Sequence, residues 1–270
     1  MHDVLSENGS GMSSSPWVHP HERVDDLQFA NLRIIQDPSA FCFGMDAVLL
    51  SDFAQIRPHD RVADLGTGTG ILPLLLAGRE MRGTTFDAFE IQPAMADMAR
   101  RSVALNGLEE RIHIHCADVA EAVQILGHAA RSLVVANPPY GSEGSTLLNP
   151  DESKRLARHE QGETLQIFCR AAALLLKNGG RFCVVFPAAR MLELMDAMRS
   201  VKIEPKRLRL VYPKASKAPN LVLLEGMKDA RPTLHMLPPL IVYDQEGRPT
   251  AELDRIYHRK HPAEAAAPSE

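Results

Sequence analysis

Apolar residues along this chain fall into two alternating patterns. Short runs with strand character occupy residues 61–65, 84–90, 111–116, 131–136 and 181–186. Between them, apolar positions recur at helical spacing over 69–78, 93–106, 119–126, 162–177 and 188–199. Pro93 suits a first helical turn, Gly107 a helix end, and Asn178-Gly179-Gly180 a stop after the longest helix. Asp46 reads as the N-cap of an amphipathic helix over 47–53. Two late segments, 207–212 and 220–225, are further strand candidates. Strand and helix in strict alternation predict an α/β fold, a mostly parallel sheet covered by helices on both faces. Such sheets bind ligands beyond the carboxyl ends of their strands. The polar and glycine-rich clusters fall at those ends: after Leu65, at Glu90, at Asp118 and after Ala136.

Composition narrows the class. The 270 residues are 45% hydrophobic and 24% charged with both signs, as expected of a soluble globular chain. We expect one domain over residues 26–258, including an N-terminal extension (26–60) and a basic C-terminal region. Polar tails are expected over 1–25 and 259–270. The formal net charge of -4 argues against a dedicated nucleic-acid binder but leaves room for a local basic patch. No run of 18 apolar residues exists and the N-terminus has no basic-then-apolar leader, so a cytoplasmic protein without a membrane span is expected. Cys42, Cys116, Cys169 and Cys183 sit among apolar neighbours without metal-ligand spacing, so buried free thiols and no metal are expected.

The chemistry centres on Asp64-Leu-Gly-Thr-Gly-Thr-Gly70. Gly66, Gly68 and Gly70 permit a tight strand-to-helix turn and close approach of a ligand to bare backbone. The spacing differs from G-x-G-x-x-G, and no lysine follows as in a phosphate loop. An acid before the turn would repel a pyrophosphate but pair with an ammonium group, so a zwitterionic ligand fits better. Glu90, about twenty residues on, can accept two ribose hydroxyls. Asp118 can accept from an adenine amino group, and serves equally as a helix N-cap. After the fourth strand comes Asn137-Pro138-Pro139-Tyr140, a rigid loop carrying an amide and an aromatic ring. Asn137 Oδ1 and the Pro138 carbonyl can both accept from one NH₂ group, while Tyr140 offers a stacking face. A delocalised amino or amide nitrogen is a poor nucleophile, and two fixed acceptors assist it as positive charge grows there.

Asp64 to Gly70, Glu90 and Asp118 resemble the cofactor motifs of class I, Rossmann-like S-adenosyl-L-methionine-dependent methyltransferases. The resemblance implies a seven-stranded sheet with an antiparallel last strand, for which 220–225 is the candidate. It implies a cofactor site of Asp64, Gly66, Gly68, Gly70, Glu90, Ile91, Asp118, Val119 and Asn137. The Asn-Pro-Pro-Tyr sequence is shared by enzymes methylating exocyclic base nitrogens and by those methylating protein glutamine amides. It implies catalytic roles for Asn137, Pro138 and Tyr140.

Segments 40–53, 148–152, 157–160, 212–221 and 237–243 carry a closer resemblance, to the bacterial tRNA (valine) adenine-37 N6-methyltransferase group. That implies methylation of N6 of an unpaired adenine in tRNA, with no DNA or obligate protein partner expected. An anticodon-loop adenine is already unpaired, so extracting it costs less than flipping from a duplex. A protein-glutamine N5-methyltransferase usually carries a separate helical domain, for which about 60 residues before Arg61 leave little room. A noncatalytic RNA-binding protein of the same fold is the other alternative. Phe43 reads as lining the cofactor mouth, as base-stacking or as ordinary packing. Lys154, Arg155 and Arg158 lie in a segment placed to act as a lid, with His159 and Glu160 beside them. Residues 199–217 hold seven basic side chains, among them Lys206, Arg207, Lys214 and Lys217, against Glu204 alone. They read as a phosphate-contacting rim or as a solvated face.

Overall fold

The computed structural model describes residues 17–39, 42–79, 81–139 and 150–259, with the backbone course alone over 150–162. The chain opens with an antiparallel hairpin, β1 (Arg23–Asp26) and β2 (Arg33–Gln36), followed by α1 (Met45–Phe53). The predicted alternation comes next: β3 (Arg61–Leu65), α2 (Ile71–Ala77), β4 (Thr85–Glu90), α3 (Pro93–Leu105) and β5 (Ile112–Cys116). A 3₁₀ turn at Val119–Glu121 runs into α4 (Ala122–Leu126), then β6 (Arg131–Ala136), α5 (Pro150–Leu175) and β7 (Leu176–Pro187). A second 3₁₀ turn, Ala188–Arg190, leads into α6 (Met191–Ser200), β8 (Ile203–Lys214) and β9 (Leu221–Lys228). Two short strands, β10 (His235–Met236) and β11 (Leu240–Tyr243), and α7 (Ala251–Ile256) complete the described chain.

From one edge the main sheet runs β5-β4-β3-β6-β7-β9-β8, with β10 and β11 both on the outer side of β8. Only β9 is antiparallel to its neighbours. Seven strands, β3 to β9, carry the expected plan, with the antiparallel strand where residues 220–225 predicted it. The sheet nevertheless has nine strands among the described residues, and the antiparallel one is not the last. Pro232, Pro238 and Pro239 break up the added segment, and the short apolar run 240–243 directly after two prolines went unread as a strand.

Other boundaries move for local reasons. The helix expected from Gly162 begins at Pro150. Asn178-Gly179-Gly180 does not end it; those residues lie in β7, opposite an irregularity in its pairing with β6. Asp46 is not the N-cap of α1: Gly44 takes that place without a side-chain bond, and Asp46 sits in the first turn. Residues 17–25, expected as tail, are tied to the domain through Arg101, which donates to the Trp17 carbonyl and to both oxygens of Glu22 at 2.6 Å.

Alternation along the strands builds the core on both faces of the sheet. Val62, Val135 and Val185 pack with α1 and α2 on one side. Ala63, Leu65, Val134 and Ala136 pack with α5 and α6 on the other. Cys169 and Cys183 are buried as expected, whereas Cys116, the last residue of an edge strand, is exposed. One charged side chain crosses the core. Arg181 of β7 bonds the Gln55 carbonyl after α1 and Asp60 before β3, and lies 3.7 Å from Glu225 of β9.

Candidate active site

The strand register fixes where the chemistry gathers. Leu65 of β3 pairs with Ala136 of β6 on one side and with Phe89 of β4 on the other. The next residues, Asn137, Gly66 and Glu90, therefore leave three adjacent strands in one row. Glu90 in turn pairs with Cys116 of β5, two residues before Asp118.

The glycine turn is latched to this row. Gly66 and Thr67 N–H both donate to the Phe89 carbonyl at 2.9 Å, and Gly68 N–H donates to Glu90 Oε2 at 2.9 Å. All three glycines have left-handed φ, +75°, +59° and +89°, which side chains rarely adopt. Their surroundings differ. A Cβ on Gly66 would press the Phe168 ring of α5 at 3.3 Å, and one on Gly70 would meet Ala99 of α3 at 3.4 Å. At Gly68 the nearest atom would be Met95 Cε at 4.0 Å, which leaves bare backbone open to a ligand.

Asp64 lies beneath this turn, 1% exposed, with neither carboxylate oxygen hydrogen-bonded. Burial pushes its carboxyl up to about 7; the Thr67 hydroxyl beside it lowers it and the charge of Glu90 raises it further. Glu90 is also buried, but each oxygen takes one backbone donor: Oε2 from Gly68 and Oε1 from Gln92, both at 2.9 Å. Each keeps a lone pair for another donor. Asp118 is the N-cap of the Val119–Glu121 turn, accepting from Ala120 N–H while Glu121 accepts from Asp118 N–H. The capping alternative is thus realised. Val119 is buried beneath it, while Ile91 is 61% exposed beside Glu90.

Asn137 is partly buried, Pro138 buried and Pro139 exposed. Asn137 Oδ1 is shut from solvent and has no partner. Among the described residues, the buried side-chain oxygens without partners are Asp64 Oδ1 and Oδ2, Thr67 Oγ1 and Asn137 Oδ1, all at this one strand-end site. Buried acceptors are normally paired, so the cluster calls for a ligand that brings donors. An ammonium group for Asp64, hydroxyls for Glu90, an apolar ring face for Ile91 and a slim segment over Gly68 together match S-adenosyl-L-methionine.

The peripheral assignments fare unevenly. Tyr140 and the side chains of Lys154, Arg155, Arg158, His159 and Glu160 lie outside the described residues. Phe43 packs partly buried against the core around α1, the ordinary alternative. Within the basic stretch, Arg207 pairs with Glu225 at 3.1 Å and stacks on Phe53, and Lys206 donates to the Arg231 carbonyl at 2.9 Å. Arg207 is level with Asp64 but four strands away through Glu225, Cys183 and Val135, about 19 Å at normal strand spacing. Arg207 is thus held within the fold, and Lys206, one residue earlier on β8, lies farther still from the strand-end face. Lys214 and Lys217 do reach the strand-end face. Two contributors went unread in the sequence. Thr67 stood within the glycine motif and offered a hydroxyl as its signal, whereas Phe168 packs on Gly66 from a hundred residues away and gave none.

The model of the methyltransferase small domain matches residues 31–203. Over 174 residues the chain is 34% identical to a tRNA1(Val) (adenine(37)-N6)-methyltransferase of Erwinia tasmaniensis, covering 64% of this chain and 70% of that protein. Over 196 residues it is 32% identical to the protein of the same name from Tolumonas auensis, covering 73% and 80%. Its fold is similar to a crystal structure described as a predicted O-methyltransferase from Agrobacterium tumefaciens. The TM-score is 0.65 at 23% identity, covering 79% of this chain and 96% of that one.

Proposed function

The chain belongs to the methyltransferase small domain family, alongside the tRNA1(Val) (adenine(37)-N6)-methyltransferases, and from that premise we propose that it methylates N6 of adenine 37 in tRNA. The observation that carries the chemistry is the gathering of unpartnered buried oxygens at one strand-end row, and the named relatives support the substrate. S-adenosyl-L-methionine supplies a methyl group already activated on sulfonium, so the protein's task is to bind and align. Asp64 holds the ammonium end, Glu90 the ribose hydroxyls, and Asp118 the adenine ring with Ile91 and Val119 against it. Asn137 Oδ1 and the Pro138 carbonyl accept from the two hydrogens of the target amino group. That fixes the nitrogen's plane and stabilises the positive charge it gains, the larger share coming in the transition state. A neutral amide cannot take up a proton here, so Asn137 aligns and does not act as a base; the proton that the nitrogen sheds on gaining the methyl group goes to water.

An RNA substrate is favoured over a protein glutamine. Both relatives reported above carry the name of a tRNA adenine methyltransferase. We place its work in the cytoplasm, on RNA rather than DNA, without an obligate protein partner. No helix among the described residues is long and apolar enough to cross a membrane. The test is transfer of labelled methyl onto total tRNA and total protein from a strain lacking the enzyme. Label in N6-methyladenosine at one tRNA position is expected. Label in glutamine, or none in RNA, would overturn the reading.

A further inference from the structure

Residues 205–224 contain five basic side chains and not one carboxylate. The structure divides the five by use. Lys206 and Arg207 are bound within the fold, as above. Arg209 donates to the Pro238 carbonyl at 3.0 Å and to Glu252 at 2.6 Å. Lys214 and Lys217 are left, both at the turn between β8 and β9.

Register carries that turn to the catalytic end of the sheet. Ala136, just before Asn137, pairs with Val184 of β7. Val211 of β8 pairs with Leu221, which pairs with Pro187, three residues farther along β7. The turn thus rises past the level of Asn137 on the same end of the sheet, two to three strands to its side, about 10–14 Å at normal strand spacing. Ala188 N–H donates to the Asn220 carbonyl at 2.9 Å, tying the turn to the exit of β7, and Pro213 and Pro219 stiffen its two arms. Lys214 Nζ donates to the Gln245 carbonyl at 3.1 Å, which positions its ammonium with hydrogens to spare. Lys217 is exposed, and its side chain meets no partner among the described residues. The nearby acids, Asp244 and Glu246, are both engaged by Arg248, at 2.9 and 3.0 Å.

We infer that the β8–β9 turn is a phosphate grip, in which Lys214 and Lys217 hold the RNA backbone flanking the adenine presented to Asn137. This rests on the reading of RNA as the substrate. Ammonium groups are point charges without the planar fork that reads a base edge, so the turn sets the register of the strand and leaves identity to the base pocket. A stiff, acid-free turn fixed to β7 gives such a grip a defined height above the reacting nitrogen.

The experiment measures affinity for an unmodified tRNA transcript over a range of salt concentrations. Each phosphate neutralised on a single strand contributes about 0.7 to the slope of log K against log salt. The Lys214→Ala/Lys217→Ala double variant is expected to lower that slope by about 1.4 and to weaken binding, with cofactor affinity and melting temperature retained. Lys214→Arg/Lys217→Arg restores the slope. Lys177→Ala removes an equal exposed charge at the opposite end of the sheet, at the start of β7, and leaves the slope as in the wild type. A wild-type slope in the double alanine variant, or an equal loss in Lys177→Ala, would overturn the grip while methylation of RNA by the wild type still stood. A wild type that labels no RNA would overturn the substrate reading itself.

Discussion

Cofactor binding should expel a proton below neutrality, and Asp64 is the residue that gives it up. Burial, partly offset by the Thr67 hydroxyl and reinforced by Glu90, pushes this carboxyl from 3.8 up to about 7 in the ligand-free protein. An ammonium partner favours the ionised form, so binding and deprotonation are linked. With a value near 7, roughly nine-tenths of the sites carry the proton at pH 6, and binding there releases about 0.9 proton. The dissociation constant should rise by about 25-fold between pH 7.5 and 5.5, an increase that the ligand's own amino group, titrating near pH 8, offsets by less than about twofold. Stability runs the other way. The folded value is raised above the unfolded one, so the protonated carboxyl's contribution is full below about pH 4 and is lost as pH climbs through 7. That loss is at most on the order of 4 kcal/mol. Asp64→Asn removes both effects: cofactor binding becomes weaker and flat with pH, and the ligand-free variant melts higher than wild type at pH 8. Calorimetry in two buffers of different protonation enthalpy reads the proton count directly. A wild-type affinity that stays constant from pH 5.5 to 7.5, with no proton released, would refute the pairing of Asp64 with the ammonium group.

Further outcomes follow from the same geometry. Asn137→Ala should slow single-turnover methyl transfer by about 10²-fold, one aligning acceptor being worth about 3 kcal/mol, while cofactor affinity holds; unchanged chemistry at saturation would remove Asn137 from the reaction. Glu90→Gln should weaken cofactor binding by about tenfold or more, since an amide cannot accept at both oxygens; equal affinities by equilibrium dialysis would end the ribose assignment. Arg181→Met strands Asp60 and weakens the neutralisation of Glu225 in the core, so the urea midpoint should fall by an amount equivalent to about 3–5 kcal/mol. A midpoint equal to wild type would show that this cluster is not coupled. Cofactor affinity should be the same with and without a chelator in calorimetry, and loss of binding on chelation would refute metal independence.

Much of this architecture was readable because strand ends, glycines and acids recur in a fixed order. The runs at 61–65 and 131–136 located β3 and β6 to the residue, since a buried parallel strand is nearly all apolar and its exit is abruptly polar. The basic stretch was harder. A count of charges over 199–217 cannot say which side chains a strand aims at acceptors elsewhere. Arg207 and Arg209 find theirs in Glu225 and Glu252, the latter 43 residues on. The long helix was expected to begin at Gly162 because Gly weighs against a helix interior by local propensity, whereas the backbone is helical from Pro150. Asp46 was given a cap that Gly44 holds, as the two stand two residues apart and nothing local distinguishes them.

Arg181 also bears on how the chain comes together. Its bonds to Gln55 and Asp60 span 126 and 121 residues, and Glu225 lies in a strand made later still. Asp60 pairs with Arg181 before β9 is made, but until β9 covers β7 this pair stands on an open sheet edge, so a sheet lacking β9 forgoes the burial that strengthens it. The antiparallel strand thereby closes the sheet electrostatically as well as sterically. A fragment ending before Leu221 should stay loose even though the whole cofactor row has already been synthesised. On that expectation the cofactor-binding half of this protein folds only together with the strand that covers β7.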